Sequence, residues 1–149
     1  MTASSSTTVA IGSVISTSPA AATLVNIGSA VNLLVSTGPA PAVDVTGQVT
    51  VTRGALIFNR TTNRYTQSIT LSNSGGALSA TAYVLDNLAN GYAVYQPTGL
   101  TAASIPLGSP FREVGPIGTG ASITFAIEMT RAGTPTLTYT PRILGLGAR

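Results

Sequence analysis

At 149 residues, with only 7% of them charged against roughly 25% in ordinary soluble domains, the chain must cover its surface mainly with hydroxyls and small side chains. Its 44% hydrophobic content and mean hydropathy of +0.38 exclude a disordered chain, and its length allows one buried core plus an appendage. With no His, Cys or Lys, and all seven cations Arg, the chain has no Ser-His-Asp or Cys-His triad, no disulfide, no Schiff-base or P-loop lysine and no usual zinc or haem site.

Residues 1–39 are rich in hydroxyls. Their longest apolar stretch, Ala30 to Val35, has the length of a strand, far short of the roughly 20 residues that span a bilayer, so no membrane span is expected. The start shows no cationic stretch followed by an apolar one, and any secretion signal is expected upstream in a longer parent or already removed. Pro39 and Pro41, with small residues between, read as a stiff connector, which places a linker at 40–47.

From Val49 onward, apolar and hydroxyl residues alternate with period two between clusters of Gly, Asn and Pro. Val49 and Val51 begin one strand, which Ala55 to Phe58 continue after Gly54. Tyr65-Gln67-Ile69-Leu71, Ile123-Phe125-Ile127-Met129, and Leu137-Tyr139 continuing to Ile143 read as half-buried strands. Ala80 to Leu88 is apolar enough for a central strand, and Tyr92 to Tyr95 adds a short one. Asn59 to Asn63 reads as a hairpin tip, Asn73-Ser74-Gly75-Gly76 as a turn and Gly115 to Gly120 as a loop. Pro141 lacks a ladder donor and points to an edge position. No segment has helical spacing with caps. The fold expected over 48–149 is therefore an all-β, antiparallel Greek-key sandwich of immunoglobulin-like type, preceded by an extended N-terminal strand segment over 1–39.

Two resemblances extend this reading. Gly12-Ser13-Val14-Ile15-Ser16, Ser18-Pro19-Ala20-Ala21, Gly28-Ser29-Ala30-Val31-Asn32-Leu33 and Val35-Ser36-Thr37-Gly38-Pro39 together resemble the C-terminal half of a PASTA repeat. Thr17 and Ala22 stand where that family usually has Gln and Gly, and its leading strand and helix are missing, so the resemblance implies a half-repeat, with cell-wall glycan as a partner. Residues 49–149 resemble the immunoglobulin-like or fibronectin-III-like modules of large bacterial surface proteins, on Arg60 to Asn73, Val84-Leu85-Asp86-Asn87-Leu88, Gly108-Ser109-Pro110-Phe111, Gly118 to Ser122 and Tyr139-Thr140-Pro141-Arg142. This second resemblance implies architecture and an extracellular or cell-surface location, with little about a ligand.

The carboxylates are Asp44, Asp86, Glu113 and Glu128. A glycosidase-like pair needs two of them about 5 to 9.5 Å apart across a cleft, and Asp86 with Glu113 is the pair topology favours. Asp86, Asn87 and Asn90 offer oxygens to Ca²⁺, but a polar strand end turning at Gly91 explains them as well, and no metal or cofactor is expected. Arg53, Arg60 and Arg64 are too few for a phosphate-tracking groove, so nucleic acid is not an expected partner. Tyr83, Tyr92, Tyr95 and Tyr139 would stack sugars only if they projected outward together, whereas such Tyr more often pack the sheet. The expected function is thus non-enzymatic: a structural or adhesive module whose partners are other copies of itself or neighbouring modules of a parent protein. The alternative is a subunit of an extracellular filament, in which Val31, Leu33 and Val35 alternate along a candidate donor strand that completes a neighbouring copy.

Overall fold

The structure, a computed structural model, describes residues 1–6, 8–38, 40–101 and 107–147. Pro39 of the expected connector, and the Ala148 and Arg149 that close the expected sandwich span, lie outside the described residues. The protein is all-β and divides into two compact units, one built on Met1–Ala42 and the other on Val43–Leu146.

In the first unit, β1 (Thr2–Ser4) runs parallel to β3 (Asn32–Ser36), and β2 (Val14–Ser18) pairs antiparallel with its other side. Ser36 ties this small sheet to the preceding loop. Its Oγ donates to the Val9 carbonyl at 2.7 Å and accepts the Gly38 N–H at 3.0 Å. Such bonds suit a segment with little to bury: Val35 and Ser36 are buried, whereas Ile11, Leu24 and Ile27 stand in solvent.

In the second unit the chain forms β4 (Val43–Asp44), a 3-10 turn (Thr46–Gln48), β5 (Val49–Asn59), β6 (Arg64–Asn73), β7 (Thr81–Asp86), β8 (Tyr92–Val94), β9 (Gly99–Leu100), β10 (Pro110–Glu113), β11 (Ser122–Arg131) and β12 (Thr140–Gly145). One sheet has the order β5-β6-β11-β8 and the other β4-β12-β7-β10-β9. The chain changes sheet at every connection except the β5–β6 hairpin and the β9–β10 return. Inward residues of both sheets share one core, built on Val49, Ile69, Leu71, Ile127 and Met129 from the first and Tyr83, Leu85 and Ile143 from the second. Each such side chain contributes roughly 1.5–3 kcal/mol of burial, and this face-to-face packing is the β-sandwich that the period-two pattern predicts. The first and last strands lie side by side, Asp44 opposite Leu144 and Val43 opposite Gly145.

Several boundaries shift for local reasons. Val43 and Asp44, read as connector, enter the sheet because Asp44 Oδ1 accepts the Thr46 N–H at 2.9 Å and the Val45 N–H donates to the Ile143 carbonyl. The final strand starts at Thr140, since its partner β7 ends at Asp86, although the Thr138 carbonyl still accepts the Ala89 N–H at 2.9 Å. β7 itself stops there because Asn87 turns left-handed, with φ of 54°. Pro141 sits where β12 is flanked by β7 alone, because β4 reaches only Leu144 and Gly145, so its missing N–H costs no second ladder. The Asn59 to Asn63 tip is closed by Asn59 Oδ1, which accepts the Thr61 and Thr62 N–H groups.

Two buried polar groups organise the sandwich. Asn73, at the end of β6, donates through Nδ2 to the carbonyls of Gly76, Ile117 and Gly118 and accepts the Gly75 N–H at 3.0 Å, which joins the turn after β6 to the loop before β11. A bulge between Arg53 and Leu56 interrupts the β5–β6 pairing, and Gln67 Nε2 donates to the Gly54 carbonyl at 3.0 Å. Gln67 Oε1 in turn accepts from the Tyr139 hydroxyl at 2.7 Å, and the Tyr83 hydroxyl donates to that of Tyr139 at 3.2 Å. The bulge is thereby wired through the core to the opposite sheet.

Candidate functional site

The carboxylates and tyrosines singled out by the sequence are held largely in structural contacts. Asp86, almost fully buried, receives Arg142 bidentately, Nε to Oδ2 at 2.6 Å and Nη2 to Oδ1 at 3.0 Å. That hydrogen bond holds the Arg142 guanidinium above its ordinary pKa. Both Asp86 oxygens are occupied, so the stretch Asp86-Asn87-Asn90 forms a strand end and a turn, with Gly91 left-handed at φ 90°. Among the described residues no group of three or more His, Cys, Asp or Glu comes together. Glu113 is in register with Ala82, four residues before Asp86 on β7, which separates the two acids by about 13 Å along the ladder and takes them beyond a glycosidase pair. Asp44 is held below the usual carboxylate range by its hydrogen bonding to Thr46.

The tyrosines do not form one outward face. Tyr83, Tyr92 and Tyr139 are buried, and burial first, then the hydrogen bond to Tyr139, pushes the Tyr83 hydroxyl far above its ordinary pKa. Arg53 lies over the Tyr139 ring at 4.9 Å, Arg131 over Tyr65 at 4.4 Å and Arg64 over Tyr95 at 3.3 Å, so the arginines are spread along the sandwich, three of them stacked on rings. Of the candidate donor residues, Val31 precedes β3 and is exposed, Leu33 is half-buried and Val35 is buried. The strand that carries Leu33 and Val35 is the middle strand of its own sheet, paired on both edges.

A site that sequence reasoning missed lies on one flank of the second unit. β8 pairs with β11 only at Met129 to Arg131, and the Tyr95 N–H then donates to the Glu128 carbonyl at 2.8 Å before the chain crosses to the other sheet. Since N–H and C=O groups alternate sides along a strand, those of Ser122, Thr124 and Ala126 point the same way as Glu128's, away from β6. The Asn73 N–H bonded to the Ala121 carbonyl confirms this phase. Among the described residues, therefore, β11 is open on that side from Ser122 to Ala126.

Beside this open edge lies a half-open groove of about 370 Å³, lined by Tyr95, Gln96, Arg112, Ala126 and Glu128. Gln96 holds a left-handed φ of 47°, which makes the crossing from β8 to β9 sharp. Glu128 is neutralised by Arg64 at 2.9 Å, while Arg112, exposed on β10, makes no ion pair with a described residue. The groove therefore offers main-chain hydrogen bonding, a carboxamide, a phenol and a net positive charge. No sequence signal brings Gln96, Arg112 and Ala126 together, because they lie on the crossing from β8 to β9, on β10 and on β11. Compared with known proteins, the chain matches no family model, no curated protein and no solved structure.

Proposed function

We propose that the chain is a non-catalytic structural or adhesive β-sandwich module of a bacterial protein displayed outside the cell. The observation that carries this reading is the use of the reactive side chains: with His, Cys and Lys missing, Asp86 is clamped by Arg142 and Glu128 by Arg64. A surface built from hydroxyls supports a binding or spacing role over one that moves protons. Neighbouring modules of a parent protein and cell-wall glycan are the partners this reading names, and nucleic acid is not among them. Among the described residues no helix is long and apolar enough to cross a membrane.

A broad hydrolase screen of the full chain, run beside the double variant Asp86→Asn, Glu113→Gln, tests the first half of the reading. No activity is expected, and an activity lost in the double variant would overturn it. Co-sedimentation with peptidoglycan and a glycan panel tests adhesion, with a monomeric chain that retains neither leaving the spacer role alone.

A filament subunit built by strand donation is the second reading, favoured by the apolar side chains of the first unit that stand in solvent: Ile11, Leu24, Val25, Ile27 and Val31. Because β3 is paired on both edges, donation requires it to leave β1 and β2 of its own copy before it completes the sandwich of a neighbouring one. Electron microscopy of the full chain beside a variant lacking residues 1–39 decides it. Filaments only from the full chain are expected, and filaments from both or neither end the idea.

A further inference from the structure

Among the described residues the other edges of the second unit are blunted, the stretch of β12 beyond β4 by Pro141. β4, β8 and β9 are stubs of two or three residues, too short to template another strand. β5 is long, but its bulge breaks the ladder, and Arg53 folds inward, with Nη1 at 3.4 Å from the Tyr139 carbonyl, so an added strand would meet a twisted edge beside a charge. The open flank of β11 has neither device. From Ser122 to Met129 its register with β6 runs without a shift, and Ser122, Ile123, Thr124, Phe125 and Ala126 are uncharged, with hydroxyls or a methyl outward and apolar side chains inward. Five residues make about 17 Å of edge, enough for a short strand.

We propose that this flank is a strand-addition site for an extended segment of another protein, whose main chain pairs with Ser122, Thr124 and Ala126 and whose Asp or Glu side chain meets Arg112. The acidic partner follows from the charge left over in the groove: Arg64 satisfies Glu128, and nothing described pairs with Arg112. The chain's own N-terminal segment is a poor occupant, since residues 1–39 contain no Asp or Glu. Main-chain bonds supply affinity without sequence preference, and the single cation supplies selectivity. The site stands whether or not the chain is displayed outside a cell, so its failure would leave the module reading intact.

The test is fluorescence anisotropy of the full chain with a labelled peptide of alternating Thr and Val carrying one central aspartate, beside a twin with asparagine in its place. The aspartate peptide is expected to bind roughly 5- to 10-fold more tightly, the scale of one charge-assisted hydrogen bond at a half-open site. Arg112→Gln removes that preference while both peptides still bind. Thr124→Pro abolishes binding of both; the N–H it deletes faces away from β6, so the sandwich ladder keeps its bonds. Equal binding of the two peptides by the unaltered chain, no binding of either, or full binding by a folded Thr124→Pro variant each overturns the proposal. So does a dimer of the unaltered chain that Thr124→Pro dissolves, because the flank then belongs to a second copy. If Thr124→Pro fails to fold, the Arg112→Gln result decides alone: a preference that survives it refutes the site.

Discussion

Replacing Tyr139 by Phe removes one oxygen from the middle of the core and interrupts the chain of hydrogen bonds between the two sheets. The hydroxyl donates to Gln67 Oε1 at 2.7 Å and accepts from the Tyr83 hydroxyl at 3.2 Å, where Tyr83 has no solvent exposure. The shorter bond has near-ideal geometry, and stranding a buried amide oxygen costs about 2 kcal/mol; the longer one adds about 1 kcal/mol. A total near 3 kcal/mol corresponds to a fall in Tm of about 12–20 °C for a unit of this size. Urea denaturation followed by far-ultraviolet circular dichroism measures it, with Gln67→Leu and the double variant closing a cycle. A coupling of about 1 kcal/mol or more between the two positions is expected, because each deletion strands the other's partner. A loss below about 0.5 kcal/mol, or strict additivity, would refute the account of the bulge as wired to the opposite sheet.

Arg142→Met leaves the buried Asp86 carboxylate uncompensated and should cost about 3 kcal/mol in urea denaturation, whereas Asp86→Leu combined with Arg142→Met recovers most of that loss; a single variant as stable as the parent contradicts this. Thr81 Oγ1 is buried without a hydrogen-bond partner among the described residues, so Thr81→Val should be neutral or stabilising by up to about 1 kcal/mol, and a clear loss of Tm would reveal a partner for the hydroxyl. Tyr83 titrates above its ordinary value because burial disfavours its phenolate. The folded state therefore keeps a proton that the unfolded chain releases near pH 10, and stability present below that pH is lost as the pH rises through it. Tyr83→Phe should flatten this alkaline limb of a stability–pH profile, and an unchanged slope would refute the assignment.

What could be read from the sequence follows from where side chains alternate. β6 and β11 were legible from Tyr65-Gln67-Ile69-Leu71 and Ile123-Phe125-Ile127-Met129 because one face of each packs in the core and the other meets solvent. β7 was legible as a central strand because both of its faces are covered. β9 and β10 were not, since strands of two and four residues are too short to show a period. Residues 43–47 read as connector on their Pro-rich approach alone, while the Asp44 to Thr46 bond that carries them into the sheet leaves no pattern. The Asp86–Arg142 and Arg64–Glu128 pairs span 56 and 64 residues of sequence, and the β11 flank is defined by where β8 stops pairing. Such features depend on topology, which composition and periodicity constrain only to a class.

The adjacency of β4 and β12 has a mechanical consequence. Because Val43 lies opposite Gly145, the chain enters and leaves the second unit at one place. Tension applied through those two points peels β4 from β12 rung by rung, each short rung carrying the force in turn, while the long β5–β6–β11 ladders bear none of it. Two registered pairs hold that junction, so the unit would be a weak link if loaded in series. Hung from a backbone as a pendant, the same unit bears little load and keeps its β11 flank intact.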